Sequence, residues 1–155
     1  MKFLLKDNYS IINKLKTSRK KVVFTNGCFD LLHVGHIRYL SMAKDLGDYL
    51  IVGLNSDQSV RNLKGKNRPI NIFEDRAKLL SALSFVDLVL IFDDQTPINL
   101  IKDILPDILV KGGDYKIKDI VGANTVIKNG GRVEVLQFHE GYSSSTYINK
   151  IKTLT

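Results

Sequence analysis

Short apolar, β-branched runs that alternate with helix-period segments predict a single-domain α/β fold. The expected form is a Rossmann-like, doubly wound parallel sheet of about five strands with helices on both faces. Two observations carry this. The runs read as strands buried on both sides, and each one ends in polar or glycine-rich residues. Open parallel sheets place their ligands at such carboxyl ends, near the point where strand order reverses.

Taken in order, an amphipathic helix at about Ser10–Lys16 opens the chain. The strands are "KVVFTN" (21–26), "DYLIVGLN" (48–55), "VDLVLIF" (86–92), "DILVKG" (107–112) and "RVEVLQF" (132–138). Helical patterns fall at 34–46, 73–83, 97–104, about 117–129 and 144–152. Right-handed crossovers between the parallel strands follow from strand twist. Residues 60–76, "VRNLKGKNRPINIFEDR", form the least regular part, a long basic connection of the kind that is often functional or mobile. Residues 1–20 are expected as an N-terminal helical extension, and 21–155 as the one domain.

With 155 residues, 44% hydrophobic and 25% charged, the chain matches an ordinary globular domain with a single core. One cysteine, Cys28, excludes an internal disulfide and suits a reduced, cytoplasmic compartment. No apolar run approaches the ~20 residues of a membrane span, and "MKFLLKDNYS" is too polar after Leu5 for a signal peptide. The formal charge is +7, and 17 of the 23 basic residues are lysines spread along the chain. That composition gives a solvated surface or favours an anionic substrate. It carries no basic block interleaved with aromatics and no nucleic-acid-binding signature, so neither a nucleic acid nor a membrane is an expected partner.

The segment "TNGCFDLLHVGHIRYL" (25–40) sets two histidines, His33 and His36, around Gly35 where the first strand hands over to a helix. A helix start carries unsatisfied N–H groups and about half a positive charge, so it is a ready anion site. Gly35 removes a side chain and is expected to let a ligand approach the backbone. Two imidazoles beside that pocket can donate to phosphate oxygens. Three other readings stand beside this one: structural caps, zinc ligands lacking an evident third partner, and a general acid–base pair.

"GCFDLLHVGH" resembles the H-x-G-H signature of the nucleotidyltransferase superfamily, and "EGYSSST" resembles its second, E-G-I-S-T-T-type signature. "YLIVGLNSD", "LKGKNRPI", "EDRAKLL", "PDILVKGGDY", "IVGANTV" and "GGRVEVL" are similar to the adenylyltransferase domain of ADP-heptose synthases, over roughly residues 20–152. The resemblance implies transfer of AMP from ATP to a D-glycero-D-manno-heptose 1-phosphate, with release of pyrophosphate. It also implies a homodimer and a lipopolysaccharide-type cell-surface glycan pathway, while the triphosphate itself leads to the expectation of a Mg2+ ion that keeps several waters and needs few protein carboxylates. Glycerol-3-phosphate cytidylyltransferases share both signatures and are the alternative. A silent nucleotide-binding module is the reading from another class. A class I tRNA-synthetase fragment fails on length and on the lack of a lysine-rich second signature.

The acceptor of such a reaction is already an anionic nucleophile. What must be supplied is alignment and charge neutralisation, and electrostatic preorganisation is the natural device. His33 and His36 are expected at the triphosphate. Asn26, Gly27, Cys28 and Phe29 form the turn facing the α-phosphate and acceptor, with Cys28 a small turn residue rather than a nucleophile. Asp30 either holds that turn or helps with a cation. The resemblance implies phosphate contacts from some of Lys64, Lys66, Arg68 and Arg76, with Lys64 and Arg76 favoured. Ser143, Ser144 and Ser145 suit phosphate oxygens at a helix start, or plain N-capping. Lys111, Gly112 and Gly113 are expected against base or ribose, and Asp114 and Tyr115 near nucleotide or acceptor. Asn55 and Asp57 are expected at acceptor hydroxyls.

Overall fold

Alternation along one central strand sets the layers. Val23 faces one helical layer, while its neighbours Val22 and Phe24 face the other. The computed structural model describes residues 3–4, 9–137 and 142–154. Its elements are β1 (Phe3–Leu4), α1 (Tyr9–Thr17), β2 (Val22–Gly27), α2 (Val34–Lys44), β3 (Tyr49–Asn55), α3 (Asp57–Lys64), α4 (Phe73–Ala82) and β4 (Leu88–Phe92). These are followed by α5 (Ile98–Ile104), β5 (Ile108–Gly112), a 3-10 turn (Ile117–Asp119), α6 (Ala123–Lys128), β6 (Arg132–Leu136) and α7 (Ser144–Lys152).

All strand pairs are parallel, in the order β1-β4-β3-β2-β5-β6. The five strands read from the sequence are β2 to β6. Phe3–Leu4 adds a short sixth at the edge, in register with Val89 and Leu90. From β2 the chain steps outward through β3 to β4, then returns to the other side of β2 with β5 and β6. Strand order therefore reverses between β2 and β5.

One face of the sheet packs Tyr39, Leu40 and Ala43 of α2 and Phe73, Ala77 and Leu80 of α4 against Val23, Leu50, Val52 and Leu54. The other packs Ile12 of α1, Ile101 and Ile104 of α5 and Val126 of α6 against Phe24, Ile51, Leu90 and Leu109. At the amino ends of the strands, Asp48, Asp87 and Asp107 each accept a backbone N–H at 2.7 Å, from Lys21, Leu50 and Val22. Among the described residues, no helix is long and apolar enough to cross a membrane.

Two segments differ from the sequence reading. The expected helix at 117–129 is broken, because Gly122 adopts φ 87° and a Cβ there would lie 2.5 Å from Ile101 Cδ1. Only a residue without a side chain fits that approach and that backbone. The basic connection at 60–76 begins inside a helix. In α3, the Ser56 side chain accepts from Ser59 N, and Asp57 sits in the first turn. Ser56 followed by an acidic residue was the available N-cap signal.

Candidate active site

The carboxyl ends of β2, β3 and β5 bring the site together. Beyond β2 the chain turns through Phe29 at φ 44°, a left-handed conformation that non-glycine residues rarely adopt and that gathers at functional turns. The turn delivers the chain to His33, the N-cap of α2. The His33 carbonyl accepts from His36 N at 2.9 Å, while its side chain makes no capping bond. The imidazole is therefore left for other work.

The two imidazoles stack, with centroids 3.8 Å apart and planes 21° apart. Phe29 meets His36 edge-on at 5.0 Å, and Tyr147 of α7 lies over His33 at 5.8 Å. Both Nδ1 atoms are buried without a hydrogen-bond partner. Burial, then the neighbouring His33 and Lys64 charges, lowers the His36 pKa to about 4, with the Leu31 backbone opposing. Burial also lowers that of His33. Near neutral pH the pair is thus uncharged. Each ring can donate one N–H, and stacked rings avoid holding two like charges face to face.

Gly35 has a different use from the one expected. A Cβ there would come within 3.1 Å of the His33 ring and 3.0 Å of Tyr142 Cβ. The missing side chain seats His33 and the start of the last segment, rather than opening backbone to a ligand.

Arg76 is the largest departure from the sequence reading. Expected on phosphate, it is fully buried at 0% exposure. Its guanidinium donates to the carbonyls of Asn71 (3.0 Å), Cys28 (2.6 Å) and Asn55 (2.9 Å) and to Asp57 Oδ1 (2.7 Å). Four of its five N–H donors are spent on protein. It ties the β2 turn, the end of β3, the start of α3 and the end of the basic connection into one unit. Asp57, expected at acceptor hydroxyls, is its carboxylate partner instead.

Asp30 makes a parallel tie. Its buried carboxylate accepts from Arg68 Nε, Ile70 N and Asn71 N, and its carbonyl accepts from Asn71 Nδ2. Both oxygens are in use, so Asp30 anchors the basic connection and is not a free cation ligand. Among the described residues no cluster of three metal-ligating side chains occurs.

Asn26, Cys28, His36, Lys64, Lys111 and Ser144 line one cavity of about 270 Å³ at the reversal point, with Gly27, Phe29 and Gly112 in its wall. A second cavity, about 360 Å³, adjoins it and reaches Asn55, Gln95 and Thr96. Tyr115 lines both. Ser144 Oγ donates to Leu31 O. Ser143 is occupied as the N-cap of α7, accepting from Thr146 N at 3.0 Å. Ser145 and Asp114 are exposed and line neither cavity. Gly113 takes φ 114° and donates its N–H to Leu136 O, away from both. Of the second signature, Glu140 and Gly141 lie outside the described residues. Cys28 is half-buried, and burial pushes its thiol pKa up, as suits a turn residue and not a nucleophile.

Tyr39 was missed from sequence. Its hydroxyl pairs with Thr25 Oγ1 at 2.6 Å and donates to Val110 O at 3.3 Å, clamping α2 to β2 and β5. Burial drives its pKa to about 12. Its place on the apolar face of α2 was legible, but the buried threonine that satisfies its hydroxyl was not.

Imidazole, lysine and hydroxyl groups gathered at a switch point of a parallel sheet are the arrangement of the nucleotidyltransferase class of α/β folds. A lipopolysaccharide core biosynthesis protein from Thermoplasma volcanium GSS1 shares the fold at TM-score 0.63 and 31% identity, over 80% of this chain and 99% of that one. A pantoate-beta-alanine ligase from Francisella tularensis shares the fold alone, at TM-score 0.60 and 17% identity, over 92% and 69%. Residues 24–150 match the family model for cytidylyltransferase-like proteins, and the chain belongs to that family. It is 55% identical to the bifunctional protein HldE of Campylobacter jejuni (strain RM1221), over 96% of this chain and 31% of that protein. It is 58% identical to that of Citrifermentans bemidjiense, over 85% and 27%. The chain spans less than a third of these relatives.

Two outcomes follow. Arg76→Met leaves Asp57 and three carbonyls unpaired and should cost about 3–5 kcal/mol, the scale for breaking a buried ion pair, as read by urea unfolding. Because His36 binds its proton less readily folded (about 4) than unfolded (6.5), its contribution to stability is intact above about 6.5 and is lost as pH falls towards 4. The stability of the native chain relative to His36→Gln should therefore decline across that window in parallel melts. A constant difference would contradict the assignment.

Proposed function

We propose that this chain transfers AMP from Mg·ATP to D-glycero-D-manno-heptose 1-phosphate, giving ADP-heptose and pyrophosphate. The observation that carries the transferase reading is the cavity at the β2/β5 reversal. It gathers neutral imidazole, lysine and a helix-start hydroxyl, without a nucleophile–base pair. The acceptor rests on the resemblance to ADP-heptose synthase adenylyltransferase domains and on the HldE similarity. That the Thermoplasma neighbour is a lipopolysaccharide core biosynthesis protein agrees with it.

An acceptor phosphate oxygen forms a bond to the α-phosphorus. The bond from that phosphorus to the bridging oxygen breaks, and pyrophosphate leaves with the electron pair. No proton transfer is required. His33 and His36 donate N–H groups to the departing oxygens, Lys64 neutralises their charge, and the first turn of α2 adds its positive end. The Asp30 and Arg76 ties hold these groups at fixed distances, so little reorganisation remains for the reaction. A substrate made in the presence of cellular ATP and a reduced Cys28 thiol suit a cytoplasmic site of action.

Pyrophosphate release across ATP and CTP, each with heptose 1-phosphate anomers and glycerol 3-phosphate, tests the proposal. ATP with a heptose 1-phosphate should be the productive pair, and His36→Ala should lower its kcat ~100-fold or more while the fold survives. Turnover with CTP and glycerol 3-phosphate but none with ATP would overturn it.

A further inference from the structure

We infer that Lys111 is a catalytic residue of the transfer step, its ammonium held by Asn26 on the wall shared by two cavities so that it faces the acceptor phosphate and the α-phosphate together. The inference rests on the transferase reading above and departs from the expectation that Lys111 only seats the base or ribose.

Lys111 is the penultimate residue of β5, and its Nζ donates to Asn26 Oδ1 of β2 at 3.1 Å. This bond spans the one gap between neighbouring strands where the chain order reverses. The same lysine lines the 270 Å³ cavity with His36, Lys64 and Ser144, and the 360 Å³ cavity with Asn55, Gln95 and Thr96. Two reactants must meet in this reaction, and two cavities meet here, at Asn26, Cys28 and Lys111.

Charge accounting separates Lys111 from the arginines nearby. Arg68 and Arg76 are paired with Asp30 and Asp57. Among the described residues no carboxylate forms an ion pair with Lys111, and its hydrogen-bond partner is a neutral amide. An ammonium has three donors, so two remain for ligand oxygens. Burial lowers its pKa, with Cys28 opposing. A desolvated cation without a counterion gains most from incoming anions.

The chemistry assigns it a distinct task. As the acceptor oxygen closes on the α-phosphorus, two anions are forced together, while the electron pair leaves with pyrophosphate on the His36 side. Lys111 stays an ammonium throughout and screens the approaching pair. The histidines and Lys64 serve the departing group. The polar far wall, Asn55, Gln95 and Thr96, faces the body of the acceptor.

The test compares native chain, Lys111→Met and Lys111→Arg. Lys111→Met should lower kcat ~100-fold or more, as for loss of one transition-state donor, with a far smaller change in calorimetric affinity for Mg·α,β-methylene-ATP. Lys111→Arg, which keeps the charge, should recover part of kcat. Near-normal kcat in Lys111→Met, or a loss confined to nucleotide affinity, overturns the inference. A second measurement stands apart from turnover. In 15N-lysine-labelled chain, the Lys111 Nζ signal should shift with Mg·α,β-methylene-ATP alone and again with heptose 1-phosphate alone. A native chain that turns over no substrate pair counts against the transferase reading. The titration still judges the lysine: a signal that moves with neither ligand, or with the nucleotide only, rules out the shared position.

Discussion

The guanidinium of Arg76 is the interaction on which the rest of the site depends. It is fully buried, and it gathers carbonyls from Cys28, Asn55 and Asn71 and the carboxylate of Asp57. A parallel sheet places strand ends side by side but does not fix the turns that leave them. Arg76 does so for β2 and β3, and it closes both ends of the basic connection that carries Lys64. A buried charge of this kind is expensive to desolvate unless every donor finds a partner. Its near-complete satisfaction explains why the residue can be internal. Its bearing on the site is at one remove, through the β2 turn that it holds by the Cys28 carbonyl.

Burial gives the remaining groups their strength. A unit charge pair at 4 Å is worth about 1 kcal/mol in bulk water and about 4 kcal/mol at an effective dielectric constant of 20. Lys111 sits half-buried with a neutral partner, and His33 and His36 sit uncharged in a stack. The site therefore presents Lys111 on one wall and, on the other, an uncharged imidazole pair with the Lys64 ammonium beside it. That arrangement suits anions that arrive together and part in opposite directions.

Much of this was legible in the sequence. Continuous apolar runs such as "YLIVGLN" gave β2 to β6, because strands buried on both faces have no alternation to hide. The places of Asn26 and Lys111 at strand ends and of His36 and Ser144 in the segments that follow strands came from those runs, Lys64 was read only as part of the basic connection, and the structure lines one cavity with all five. What could not be read was the use of each polar group. Arg76 and Arg68 are both arginines near phosphate-type motifs, yet Asp57 and Asp30 claim them through contacts 19 and 38 residues away in sequence. Gly35 and Gly122 were visible as glycines, but the ring of His33 and the side chain of Ile101 that require them come from tertiary packing. Ser143 and Ser144 are adjacent and alike. Only the direction in which α7 enters makes one a cap and sets the other in the cavity wall.

The central claim is that the stacked histidines receive the triphosphate. Its most direct test is the imidazole 15N signal of His36 during titration of the native chain with Mg·α,β-methylene-ATP. Bound phosphate favours the charged ring, so the signal should shift and its pKa should rise from about 4. Calorimetric binding of the nucleotide with the His36 signal and its pKa unchanged would contradict the account.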